Sequence, residues 1–178
     1  MAVAGDATGV LLVGGLSRRF GSVKALAQLG GETLAERAWR VLGDACDERI
    51  AVGKRGELEL PFQLLDDGTP VRAPLAGLVA GLRAAEHDVV VALPVDCPRM
   101  THAALRKLGA ACRAAAVPQT GPLPGAYSKS ALPVLERRLA IGELAIKDAL
   151  AELDATTVEL DSGLLANVNS ARDLSALS

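Results

Sequence analysis

Short uninterrupted apolar runs alternate along this chain with longer stretches of helical period. Residues 9–14, GVLLVG, read as a buried strand that opens the fold. In TLAERAWRVLGDAC, residues 33–46, the apolar Leu34, Ala38, Val41 and Leu42 recur on one face. Thr33 and Glu36 stand three apart as a capping box, so a helix is predicted there. ERIAVG (48–53) and PFQLLD (61–66) are candidate strands two and three. Residues 74–86 are predicted helical, and DVVVALP (88–94) is the most strand-like segment of the chain. Thr101 is placed to cap a further helix through about Ala114. The last third is less regular: a loop with room for a short strand, two helices, a strand at TTVEL (156–160), and a turn at NVNSARDL (167–174) into a final helix.

This alternation of strands and helices, with strands apolar on both faces, predicts an α/β fold. Its three layers would be a mostly parallel sheet covered by helices on both sides. Ligands of such sheets bind outside the carboxyl ends of the strands. That rule groups Gly14 and Gly15, Gly53, Asp66 and Asp67, and Pro94 and Asp96 along one edge. No internal repeat, low-complexity tract or linker divides the chain, so residues 1–178 are expected to form a single domain.

Composition sharpens this picture. Half of the 178 residues are apolar but only 2% are aromatic, so the core must be built from Ala, Val and Leu. A net charge of −2 gives no reason to expect a nucleic acid or an anionic membrane as partner. The three cysteines, Cys46, Cys97 and Cys112, have no CxxC spacing and read as buried structural residues. The two histidines, His87 and His102, lie near no second ligand in the sequence, so a nitrogen and sulfur metal cage is excluded. The first residues, MAVAGDATG, lack a signal-peptide pattern, and no apolar run reaches 18 residues. A soluble cytoplasmic protein is expected.

The segment LLVGGLSRRFGSVKALAQLGG, residues 11–31, carries the candidate chemistry. It is no P-loop, because Gly21 and Lys24 are separated by Ser22 and Val23 and no hydroxyl follows the lysine. Neither does Gly14-Gly15 with the next glycine at 21 fit a GxGxxG turn. An ordinary strand-to-helix turn takes two to six residues, far fewer than lie between Gly14 and Gly31. Adjacent glycines let the backbone approach a ligand and aim N–H groups at it. Arg19 offers a planar fork for phosphate oxygens and Lys24 a compact charge. One such cation about 4 Å from a phosphate gains about 4 kcal/mol of Coulomb attraction at an effective dielectric near 20.

LVGGLSRRFGSVKALAQLGGETL resembles the signature LAGGxSxRMGxDKxxLxxxGxxL of the MobA-like nucleotidyltransferases, which include molybdenum cofactor guanylyltransferases and related cytidylyltransferases. Further segments are similar in the same order. DGTPVRAPLAGLVAGL resembles DxxPGxGPLAGIxAAL, and VVVALPVDCPRM resembles a strand ending in PCDxP. PLPGAYSKSALPVLERRLAIGELAIKDAL resembles the acceptor-side segment, and NVNSARDL the closing NxNTPEDL.

The resemblance implies a Rossmann-like fold of the nucleotide-diphospho-sugar-transferase type. Its nucleotide-binding part would span about 8–100 and its acceptor side about 101–178. It implies that Leu12, Val13, Gly14, Gly15, Ser17, Arg19, Lys24, Gly53, Asp67 and Asp96 bind the nucleotide, with Arg19, Lys24 and Asp96 catalytic and Asp96 holding Mg2+. Counting back from Pro74 selects Asp67, although Asp66 is one place away and either can be the functional carboxylate. Pro74, Leu75, Gly77, Pro122, Tyr127, Asn167 and Asn169 would serve the acceptor. Pro74 also suits the first position of a helix, and the two asparagines also suit a turn before the last one.

The implied activity moves GMP from GTP to the terminal phosphate of molybdopterin, with no nucleic acid or membrane involved. It would allow transient contacts with proteins that deliver molybdopterin or receive the product. Three positions depart from the signature: Val23 replaces an aspartate, Ala73 a glycine, and Gly53 a frequent asparagine. The alternatives are a CTP-dependent cytidylyltransferase, a nucleotide-binding homologue without turnover, or transfer to another phosphorylated acceptor.

Overall fold

The computed structural model describes residues 6–14 and 23–178; Gly15, Ser17 and Arg19 lie outside the described residues. Strand β1 (Ala7–Leu12) is followed by a small hairpin, β2 (Gln28–Leu29) and β3 (Glu32–Thr33). Helix α1 (Leu34–Ala45) leads to β4 (Glu48–Gly53) and β5 (Leu64–Asp66). Next come α2 (Pro74–Ala84), β6 (Val89–Pro94), α3 (His102–Ala111), β7 (Ala115–Pro118) and β8 (Gly125–Ser128). Helices α4 (Leu132–Ile141) and α5 (Ile146–Ala149), strand β9 (Ala155–Val158) and helix α6 (Ala171–Ser175) complete the chain.

Seven strands form one sheet in the order β5-β4-β1-β6-β8-β7-β9. Every pairing is parallel except the two made by β8. The pleat sorts side chains by a period of two. Leu11 of β1 and Val91 and Leu93 of β6 face α1 and α3, whereas Val10, Leu12, Val90 and Ala92 face α2 and α4. The three-layer expectation therefore holds, and the apolar runs reflect burial on both faces.

Helix α1 starts where its capping box predicts. The Thr33 hydroxyl accepts from the Glu36 N–H, and the Glu36 carboxylate accepts from the Thr33 N–H. Leu34, Ala38 and Leu42 are buried along its inner face. Helix α2 lies unusually close to β1 through two glycines. A Cβ on Gly77 would stand 2.9 Å from Leu12 Cδ2, and one on Gly81 2.8 Å from both methyls of Val10. This close packing brings the start of α2, with Pro74 in its first turn, to the carboxyl edge of β1.

Three boundaries differ from the sequence expectation. Helix α3 ends at Ala111, three residues short of the expected Ala114, and the alanines that follow at 115 and 116 form β7, because pairing with β8 and β9 outweighs their helical preference. Strand β5 is only three residues long, since Phe62 turns aside to stack on Trp39 of α1 with ring centroids 4.3 Å apart. Strand β9 ends at Val158, and the Gln119 side-chain amide then takes over from the ladder. Its Nε2 donates to the Leu160 carbonyl at 2.7 Å and its Oε1 accepts from the Leu160 N–H at 3.1 Å. Among the described residues no helix is long and apolar enough to cross a membrane.

Candidate active site

Strand order reverses at β1: the chain proceeds outward through β4 and β5, then returns by α2 to β6 on the other side. The crevice that this reversal leaves at the carboxyl ends of the strands is the favoured ligand position in α/β sheets. Here it is a cavity of about 440 Å³, within the usual range of roughly 300–1,000 Å³ for small-molecule sites. Leu12, Val13 and Gly14 enter from β1, Gly53 and Lys54 from β4, and Asp67 from the end of β5. Pro74 and Gly77 of α2, Asp96 beyond β6, Lys24 and Leu123 close it. The edge grouping expected from the sequence is thus present for all its described members except Asp66.

At the β6 end, Lys24 Nζ stands 4.0 Å from Asp96 Oδ2, with both side chains partly exposed. Lys24 sits in a single 3-10 turn, Lys24–Leu26, anchored by the buried Ala25. The Asp96 backbone is fixed from the far end of the chain, because its carbonyl accepts from the Val168 N–H at 2.8 Å. The neighbouring Cys97 thiol donates to Asn167 Oδ1 at 3.0 Å and lies 3.6 Å from Asp96 Oδ1. Burial, and then the Asp96 charge, push the Cys97 thiol up, which keeps it a protonated donor.

At the opposite end the two adjacent aspartates have separate tasks. Both Asp66 oxygens accept backbone N–H groups, Oδ2 from Arg55 and Oδ1 from Gly68, and these bonds hold its carboxyl below the usual range. Asp67 Oδ1 accepts from Lys54 Nζ at 2.7 Å and from the Thr69 N–H at 3.2 Å. Asp67 is the carboxylate that lines the cavity, and Asp66 shapes the turn behind it. Gly53 offers backbone alone: a Cβ there would meet the Val13 carbonyl oxygen at 3.0 Å.

Several residues expected on the acceptor side lie elsewhere. Leu75 is wholly buried in the apolar layer between α2 and the sheet. Tyr127 is also wholly buried, and its hydroxyl donates to the Pro122 carbonyl at 2.5 Å, so it braces the loop before β8 instead of facing the cavity. Leu123, not Pro122, reaches the cavity wall. Asn167 and Asn169 are exposed and outside that wall. Asn169 donates its backbone N–H to Asp173, while Ser170 caps α6. A larger depression of about 720 Å³, between the β2–β3 hairpin, α1 and the start of α3, is lined by none of the candidate nucleotide, metal or acceptor residues.

Sequence reading missed Lys54 and Leu123, and read Cys97 as a buried structural residue, which it is, without its contact to Asn167 beside Asp96. Lys54 could have been found as the cation that ends strand two opposite an Asp-Asp pair. Cys97 could have been noticed as the thiol beside the candidate metal aspartate. Leu123 carries no such signal.

A doubly wound sheet with a lysine and a carboxylate at its crevice is an α/β protein with its site at the strand-order reversal. The chain belongs to the MobA-like NTP transferase domain family, whose profile matches residues 9–157. It is 36% identical to a Deinococcus radiodurans protein named "Probable molybdenum cofactor guanylyltransferase", over 96% of this chain and 93% of that one. It is 30% identical to a molybdenum cofactor guanylyltransferase of Desulfosudis oleivorans, over 85% and 80%. The crystal structure of molybdopterin-guanine dinucleotide biosynthesis protein A from Archaeoglobus fulgidus superposes with a TM-score of 0.81 over 96% of both chains. At 23% identity this likeness speaks for the fold.

Proposed function

We propose that this protein transfers GMP from GTP to the terminal phosphate of molybdopterin, or of its metal-loaded form, and releases pyrophosphate. The observation that carries the reading is the single cavity that spans β6 to β5, with Lys24 and Asp96 at one end and Gly53 and Asp67 at the other. Three strand spacings separate those ends, about 14 Å, a distance suited to a nucleotide with its phosphates on β1 and β6 and its base toward β4 and β5. The names of the relatives support the choice of guanine and molybdopterin.

An oxygen of the acceptor phosphate forms a bond to the α-phosphorus of GTP. The bond from that phosphorus to the bridging oxygen breaks, and pyrophosphate leaves with the oxygen and its electron pair. A phosphate monoester is largely dianionic above its second pKa of about 6, so no side chain has to remove a proton. Catalysis then consists of orientation and charge stabilisation. The Gly14 backbone allows close approach, Lys24 supplies a point charge, and Arg19 would add a second grip from its place in the loop signature.

The residues fit magnesium. Asp96 is a partly exposed carboxylate on the cavity wall, and one carboxylate with phosphate oxygens and water is an ordinary set for that ion. Among the described residues no group of three His, Cys, Asp or Glu side chains converges, so other ligands would have to come from the nucleotide or water. When bound, the ion offsets negative charge on the phosphates. The acceptor would lie over the segment from Pro122 and along the edge that carries Asn167 and Asn169.

The test is pyrophosphate release from GTP and molybdopterin by wild type and Asp96→Asn. The variant should keep the fold and lose about 100- to 1,000-fold in turnover, the scale of removing one group that stabilises transition-state charge. Near-normal turnover would remove Asp96 from the site. Preferred use of CTP would replace guanylyl with cytidylyl transfer.

A further inference from the structure

We infer that Lys54 is a positioning residue that sets base selectivity by clamping the wall of the nucleotide cavity; the inference rests on the placement of the base proposed above. The Lys54 ammonium donates to Asp67 Oδ1 at 2.7 Å, to the Val71 carbonyl at 2.8 Å and to the Thr69 carbonyl. An ammonium has three donors and no acceptor, so all three are directed at one loop. The side chains of Lys54 and Asp67 are 16% and 6% exposed, so each is the other's counter-charge in a largely dry setting.

The clamp is reinforced from the backbone. Asp67 donates its N–H to the Gly53 carbonyl at 3.1 Å, and Val71 donates its N–H to Thr69 Oγ1 at 3.2 Å. Polar groups of residues 67–71 are thereby drawn toward β4. Among the polar groups of this loop without a hydrogen-bond partner among the described residues are Asp67 Oδ2 and the backbone N–H groups of Arg72 and Ala73. All three residues line the cavity. A carboxylate oxygen has two lone pairs, so it can accept both the N1–H and the N2–H of guanine, while the N–H groups beside it donate to O6. Cytosine and adenine can offer that oxygen only their one amino group, next to acceptors. Gly53 adds no side chain to this wall, and a Cβ there would stand 3.0 Å from the Val13 carbonyl oxygen. Discrimination therefore depends on how firmly Lys54 holds the loop.

Binding of GTP, CTP, ATP and pyrophosphate is measured by titration calorimetry for wild type, Lys54→Met, Lys54→Arg and Thr69→Ala. Lys54→Met should lose about tenfold or more of the discrimination between triphosphates, the scale of losing hydrogen bonds from a charged donor. Its affinity for pyrophosphate, which occupies only the distant phosphate end, should stay within about twofold. Lys54→Arg should restore part of the discrimination. Thr69→Ala, outside the cavity wall, should lose a smaller part and serves as the readout if Lys54→Met does not fold. Equal loss for all four ligands, or unchanged discrimination, overturns the inference, as does a wild type that does not discriminate. A wild type that prefers CTP and loses that preference in Lys54→Met would sustain the clamp while removing the guanylyl reading.

Discussion

Tyr127, the only tyrosine of the chain, shows what a signature cannot distinguish. Its place in the acceptor-side motif made it a candidate ligand contact, yet its ring fills the core and its hydroxyl holds the Pro122 carbonyl. A side chain that braces a loop leaves the same mark in a motif as one that touches a ligand. The two roles separate in experiment. Tyr127→Phe keeps the ring and removes the bond, so it should cost about 1–2 kcal/mol and lower Tm by about 2–8 °C. Unfolding is conveniently followed by fluorescence of Trp39, the only tryptophan. Triphosphate affinity should not change; a tenfold loss would return Tyr127 to the ligand site.

Elements were legible where pattern and local chemistry agree. The capping box fixed the start of α1, and the continuous apolar runs of β1 and β6 marked the buried centre of the sheet. Strand β7 was illegible because alanine favours helices, and only its two partners make it a strand. Asp66 and Asp67 could not be told apart either, since their division of labour depends on Lys54 and Arg55 across the strand ends. Helix packing likewise depends on what faces each glycine. Alanine at position 81 would press its Cβ into both Val10 methyls, held in the sheet at 2.8 Å. Overpacking of this kind costs about 1–3 kcal/mol, against a gain of about 1 kcal/mol in helix propensity. In α1, a Cβ at exposed position 43 would meet only the guanidinium of the exposed Arg49, at 2.7 Å, a long side chain that donates to the Trp39 carbonyl and can adjust at the surface. Gly43→Ala should therefore raise Tm and Gly81→Ala lower it. Shifts of the same sign would show that propensity, or packing, alone governs both.

Charge and burial across the molecule set its range of stability in pH. Six carboxyls are held below their ordinary values. Arg40 acts on Glu32, the Thr33 backbone on Glu36, and Arg72 on Glu57. The Arg55 and Gly68 backbone acts on Asp66, Arg137 and Arg138 on Glu152, and the Asn169 backbone on Asp173. A depressed carboxyl stabilises the fold above its unfolded pKa, and that stability is lost as pH falls through the folded value. The acid limb should thus begin near pH 4.5, the ordinary value for Glu, and steepen below it. At the other extreme, burial pushes the Cys46 and Cys112 thiols from 9.0 up to about 12. A raised thiol stabilises the fold below its unfolded pKa, because above it the unfolded chain ionises while the folded chain does not. Stability should therefore decline from about pH 9 toward about pH 12, with Cys97 and Tyr127 adding to the same limb through their own upward shifts. Urea denaturation at steps from pH 3 to pH 10.5 measures both limbs. Replacing Cys46 and Cys112 together by alanine should lower stability at neutral pH, yet flatten the decline above pH 9. An alkaline limb of unchanged slope in that variant would assign the loss to Cys97 and Tyr127 instead of these two half-buried thiols.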